Sequence, residues 1–418
     1  MNEETERLII LGNGADIHNG LKSKFVNYVN HLQGQIGIIK RINNVKDYYN
    51  DILNKKHLYA NFESKIKDIE YKYKSENIIN DSNFWLFILI WKSKKDAKWY
   101  DIEKTIKNFL TEKFNKKDLY LNIDLYQELL DKKNLNVTIN NEQLFIFLAI
   151  KLFNYKKQEI SYFLLDELKK FEKDFSKYIY NNVSKNNYFN KNIEMLNKLC
   201  GNYFSNVLDF NYSTLLDKDF NKVNRLKNFV NIHGSFRNSS RYNNKYSPII
   251  LGIDSNYENN VNINYEDKVK IDKFTKTSRL LDFSGRKSDK ILDIHIKNIL
   301  FFGHSLGEAD YSYFQSIFDY YHIYESNVKL TFVYAEYACQ KQELMEITSD
   351  DAKYKDKFEN IDFSRRNSQK IKVFKLINEY GETLDNKNHG KNLLHKLLLE
   401  RRIQLVNLRF LDNENGII

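Results

Sequence analysis

Phe229-Val-Asn-Ile-His-Gly-Ser235 sets an imidazole and a glycine at the end of a short apolar strand pattern. An imidazole titrates near neutrality, so His233 can take up or release a proton without a large shift imposed by its surroundings. Three other runs break in the same manner: Leu8-Ile-Ile-Leu-Gly-Asn-Gly14, Val207-Leu-Asp-Phe-Asn-Tyr-Ser213, and Ile299-Leu-Phe-Phe-Gly-His-Ser-Leu-Gly-Glu-Ala-Asp310. In an open parallel sheet such breaks fall along one carboxyl edge, which is where ligands bind. Gly12-Asn13-Gly14 leads from a strand into a helix expected to begin near Ala15 or Asp16, and backbone N–H groups aimed over such a turn favour phosphate. Taken alone, the same residues have plainer readings: His233 as a hydrogen-bonded core histidine, Asn211 as a turn residue, and His304 as a helix start. Gly303-His-Ser305-Leu-Gly307 also has the spacing of a nucleophile elbow, although His233 precedes the serine, against the order serine, acid, histidine of that fold.

Elements able to position these groups follow from periodicity. Strands are predicted at Leu8–Leu11, Val207–Phe210, Phe229–Ile232, Ile249–Ile253, Ile299–Phe302, Lys329–Tyr334 and Ile371–Ile377, with helical patterns between several of them, as at Tyr311–Tyr321 and Tyr337–Ile347. That alternation predicts an α/β fold with a Rossmann-like parallel sheet flanked by helices. The third glycine of a dinucleotide fingerprint is replaced by Ile17, so an ordinary Rossmann dehydrogenase is not expected. Between Gly37 and Gly201 there is neither glycine nor proline. Leu164, Leu168, Phe171, Phe175 and Ile179 recur at helical spacing there, and Phe84–Trp91 is apolar on every side. Residues 24–195 are therefore predicted to be a large α-helical insertion, and residues 1–23 with 196–418 the sheet domain. The Asn-rich start of the segment 256–297 is expected to loop over the site, and Asn392–Phe410 to close the chain as a docked helix.

A net charge of +10 invites a nucleic-acid reading, but the lysines are spread among aspartates and glutamates, as between Lys65 and Lys74, in the manner of solvated faces. Cys200 and Cys339 stand far apart without partner motifs, which excludes a zinc site or a disulfide framework and suits a reducing cytoplasm. The acidic start is wrong for a signal peptide, and the longest apolar run falls short of the ~20 residues a bilayer requires. No membrane partner and no metal are expected.

On Gly12-Asn13-Gly14-Ala15-Asp16-Ile17, Phe210-Asn211-Tyr212-Ser213, His233-Gly234-Ser235 and Gly303-His304-Ser305-Leu306-Gly307-Glu308-Ala309-Asp310, the sequence resembles the bacteriophage abortive infection AbiH family. Order and residue type match throughout, which implies antiphage defence in a bacterial cytoplasm. More remotely, the same order is similar to sirtuin-like NAD-binding domains. That likeness implies NAD as ligand or substrate, Gly12 and Gly14 facing the diphosphate, Asn211 at the ribose hydroxyls, His233 as the catalytic histidine, and Ser305 and Leu306 at the adenosine side. Asn13, Asp16, Gly234, Gly303, His304 and Asp310 complete the expected nucleotide site. Asp16 stands where that likeness has a serine and Ser213 where it has an aspartate. Two cysteines cannot supply the zinc ribbon of a sirtuin deacetylase. Two function classes follow: an NAD glycohydrolase, silent until infection, and a non-catalytic nucleotide sensor or interaction protein with the same pocket. A phage-derived trigger or partner protein and a homo-oligomer are compatible with both. A basic nucleic-acid binder is a third class.

Overall fold

The computed structural model describes residues 5–54, 62–93, 102–112, 122–131, 140–154, 156, 158–184, 187–215, 217–236, 249–255, 265–281, 290–336, 340, 344 and 351–415. The chain forms two compact units, one of residues 1–23, 177–237 and 285–418, the other of residues 24–176 and 238–284.

Six strands of the first unit, β1 (Arg7–Leu11), β2 (Ser205–Asp209), β3 (Leu226–Asn231), β4 (Asn298–Phe302), β5 (Lys329–Tyr334) and β6 (Ile403–Asn407), make one wholly parallel sheet in the order β3-β2-β1-β4-β5-β6. Period-two alternation splits their apolar side chains between two helical layers, which is why the strands read as continuous apolar runs. Leu8, Ile10, Leu208, Phe301, Leu330 and Phe332 face one layer, made by α3 (Tyr311–Tyr320), α4 (Asp351–Thr383) and α5 (Lys387–Leu399). Ile9, Leu11, Val207, Leu300, Phe302 and Val333 face the other, made by α1 (Asn13–His18) and α2 (Tyr188–Cys200). The ends are level, since Leu11 pairs with both Asp209 and Phe302, and Asp209 pairs with Asn231. One step beyond them come Gly12, Phe210, Gly303 and Ile232, so the four motifs leave the sheet side by side.

Three expected elements take other forms. Ile371–Ile377 lies inside α4, where Val373, Leu376, Ile377 and Tyr380 are buried at helical spacing; a short β-branched run does not reveal its period alone. The sixth strand is Ile403–Asn407 instead, so the terminal segment read as one helix is α5 followed by β6. Ile249–Ile253, in the second unit, is buried yet makes only an isolated bridge between Ile253 and Thr275. Its Leu251 is satisfied by side chains, the N–H donating to Glu172 at 2.8 Å and Arg279 donating to the carbonyl at 2.8 Å, while Ile253 exchanges backbone bonds with Phe274 and Lys276. A buried apolar run thus imitates a strand without a neighbouring one to pair with. The described residues of 256–297 include two helices, Tyr265–Asp272 and Lys276–Leu281, while its Asn-rich start lies outside the described residues, as does the helix expected at 337–347 apart from positions 340 and 344.

The second unit is helical. All eight apolar residues of Phe84–Trp91 are buried within the helix Phe84–Lys92, whose first turn is capped by the Asn83 side chain accepting the Leu86 N–H at 2.9 Å. Leu164, Leu168, Phe171 and Phe175 form the buried face of the helix Ile160–Val183. Among the described residues no helix is long and apolar enough to cross a membrane.

Candidate functional site

The strand order reverses direction between β1 and β4, the point at which open α/β sheets receive ligands at their carboxyl edge. The loops after these two strands pack directly on each other. Gly14 donates its N–H to the Gly303 carbonyl at 2.7 Å, and Gly12 donates to Phe302 at 3.1 Å. A Cβ on Gly12 would lie 2.5 Å from the His304 Cα, and one on Gly303, whose φ is +72°, would lie 2.2 Å from the Ala15 nitrogen. Glycine at these positions serves loop-to-loop contact, and the Cα face of Gly12 meets His304.

The β2 motif is tied to the same place. Asn211 donates its side-chain amide to the Gly12 carbonyl at 3.1 Å and its backbone N–H to the Asp209 carboxylate at 3.0 Å. Phe210 lies between the two histidines, with ring centroids 5.5 Å from His233 and 4.8 Å from His304, both edge-on. His233 also meets the Tyr313 ring at 5.4 Å and is only 2 % exposed. Gly234, with φ +77°, turns the chain sharply after it. His304 has both ring nitrogens engaged. Its Nδ1 accepts the Leu306 N–H at 3.0 Å, so the proton belongs on Nε2, which lies 3.4 Å from the Asp310 carboxylate. Ser305 is exposed, and the non-glycine residue with positive φ in that loop is Leu306, at +55°, whereas in a nucleophile elbow the strained residue is the serine.

Asp16 lies beneath this edge, buried. Its Oδ1 accepts from the Tyr188 hydroxyl at 2.5 Å and from the Ser213 hydroxyl at 2.7 Å, and those two hydroxyls are 2.9 Å apart. Burial pushes the Asp16 carboxyl up to about 6, against the lowering effect of the two hydroxyls. Burial, and then the charge of Asp16, hold the Asp209 carboxyl well above its ordinary range, opposed by bonds from Asn211 and Asn231. Two carboxyls so placed disfavour ionising together. Asn13 turns its side chain to accept the Ser23 hydroxyl.

Gly12, Gly303, His304, Leu306, Asp310, Asn211 and His233 are thus gathered at one edge, while Asp16 belongs to the hydrogen-bond network beneath it. That network also contains residues with no signature of chemistry in the sequence. Asn231 donates one amide nitrogen to Asp209 at 3.1 Å, to the Asn211 carbonyl at 3.0 Å and to the Ser213 carbonyl at 2.7 Å, fixing the β2 turn. Tyr188 opens α2 from a distant stretch of chain. A polar residue two positions before His233, and an aspartate directly after the apolar pair Val207-Leu208, were the available signals. Among the described residues no group of His, Cys, Asp and Glu side chains could hold a metal ion.

The family description for the bacteriophage abortive infection protein AbiH matches residues 8–334, from the second residue of β1 to the last of β5. No curated protein and no solved structure matches the chain.

Proposed function

The chain belongs to the bacteriophage abortive infection AbiH family, a membership that implies antiphage defence, and from it we propose that the protein acts by binding and hydrolysing NAD or a related nucleotide at the β1–β4 switch point. The observation that supports this reading most is the convergence of Asn211 and His233 on the carboxyl edge, with Asn211 bonded to the Gly12 carbonyl. Cleavage of a nicotinamide–ribose bond develops positive charge on the sugar, and a base that draws on a ribose hydroxyl, or aligns water, stabilises it. In this reading His233 is that base and Asn211 orients the hydroxyl. Gly12, Gly14 and Gly303 join the two loops into the floor on which the nucleotide rests, and His304, pinned by Leu306 and Asp310, holds the β4 loop in shape. The test is nicotinamide release from NAD by the purified protein, alongside phage protection in cells. His233→Ala and Asn211→Ala should each abolish both with the fold retained, and the double variant should be no worse than either, because residues acting as one unit are strongly non-additive. Lysine peptides should keep their acetyl groups.

A second reading, a nucleotide sensor without turnover, is favoured by one feature: the His233 ring is 2 % exposed and packed edge-on against Phe210 and Tyr313. Nucleotide binding with no product, together with full protection by a folded His233→Ala protein, would establish it over the enzyme.

A further inference from the structure

Beyond the ends of β5 and β6, on the same carboxyl edge, lies a cavity of about 400 Å³. That is within the ~300–1,000 Å³ range of small-molecule sites. Ala335, Leu344, Leu408 and Tyr354 give it an apolar wall. Opposite them is a built polar group. Glu336, two residues past the last of β5, is buried, and its Oε1 accepts the Asn407 side-chain amide at 3.0 Å and faces the Arg409 Nε at 3.1 Å. Burial alone would raise that carboxyl, but the Asn407 amide, the residue's own N–H and the Arg409 charge outweigh it, and the group is held below its ordinary value. Arg409 is itself oriented by donating to the Tyr354 hydroxyl at 3.0 Å and by lying 4.7 Å over the Phe358 ring. Lys198 lines the same cavity and donates to the Arg409 carbonyl at 3.3 Å.

The sheet has two halves of like topology, β1-β2-β3 and β4-β5-β6, and each middle strand is followed or closed by an acid. In doubly wound sheets a carboxylate near a strand end receives the ribose hydroxyls of a bound nucleotide. In the first half that acid is Asp209, whose carboxyl is committed to Asn211 and Asn231. In the second half it is Glu336, ionised and bordering a cavity. We infer that the β4-β5-β6 half is the nucleoside subsite: Glu336 receives the 2′- and 3′-hydroxyls, the apolar wall takes the base, and Lys198 takes the phosphate. This rests on the nucleotide reading above and names the part of the sheet that holds the nucleoside.

The experiment is calorimetric binding of ADP, adenosine and 2′,3′-dideoxy-ADP to the full chain. The dideoxy compound should bind at least ~10-fold more weakly than ADP, since a site built to bond hydroxyls rejects the analogue lacking them. Glu336→Gln should erase that preference. Because Glu336 also anchors Arg409, Lys198→Ala serves as a second variant, expected to weaken ADP by roughly 2- to 5-fold while leaving adenosine unchanged. Equal binding of ADP and its dideoxy analogue, or ADP affinity unmoved by Lys198→Ala, overturns the subsite. If those variants bind normally and Asn211→Ala does not, the subsite assignment falls and the nucleotide reading stands. If the unaltered protein binds none of the three, the subsite falls, and nicotinamide release from NAD decides the nucleotide reading separately.

Discussion

Replacing Asp16 with asparagine should change the pH dependence of stability in a direction fixed by the buried network. The Asp16 carboxyl is raised from 3.8 to about 6 by burial, with the Tyr188 and Ser213 hydroxyls opposing. A raised folded-state value means that the folded protein holds the proton more tightly than the unfolded chain. The associated stability is therefore complete below the unfolded value, near 4, and is lost as pH rises through about 6. At 1.36 kcal/mol per unit the full loss is about 3 kcal/mol, and about 1.4 kcal/mol of it falls between pH 5 and pH 8. Asparagine is isosteric, keeps an oxygen acceptor for both hydroxyls and does not titrate. Asp209 titrates in both proteins, and because the Asp16 charge is part of what raises its carboxyl, the substitution eases that rise and adds to the difference in the same direction. Urea unfolding at pH 5 and pH 8 should then show the Asp16→Asn protein gaining at least about 1 kcal/mol on the unaltered one over that interval, whatever its offset at pH 5. Parallel stability curves would refute the burial argument, as would a relative loss at pH 8.

Gly303→Ala should fail to yield a stable protein, or unfold at least ~3 kcal/mol more easily, because its Cβ would sit 2.2 Å from the Ala15 nitrogen at a φ of +72°; thermal unfolding of the soluble product measures this. Asn231→Leu should cost on the order of 2–3 kcal/mol, since it leaves a buried carboxyl and two carbonyls without their shared donor, and an unchanged urea midpoint would contradict that role. In the second unit, Arg279→Met should destabilise by roughly 3–5 kcal/mol by stranding the buried Glu172 carboxylate, while Arg279→Met with Glu172→Leu should recover much of the loss, a difference that chemical denaturation of the three proteins resolves.

By itself the sequence determined the parallel sheet and its edge. Each of β1 to β5 contains a short apolar run, and four of these runs lead into glycine, asparagine or histidine, so the alternation with amphipathic segments was legible without coordinates. The all-apolar helix at Phe84–Lys92 and the sided helix at Ile160–Val183 were legible for the same reason: their periodicity is local. What only the tertiary structure decided is what each polar group touches. Whether Gly12 faces a ligand or a neighbouring loop depends on His304, nearly three hundred residues away, and the Asp16 carboxyl is raised by a burial that the distant Tyr188 and Ser213 hydroxyls only partly offset. Ile249–Ile253 and Ile371–Ile377 resemble strands because a short β-branched run lacks a period of its own. One is held by the Glu172–Arg279 pair and the other lies in a helix, outcomes set by partners distant in the chain. The cavity at Glu336 left no trace in the sequence, because its walls come from α1, α2, α4 and the ends of β5 and β6, which meet only once the sheet has formed.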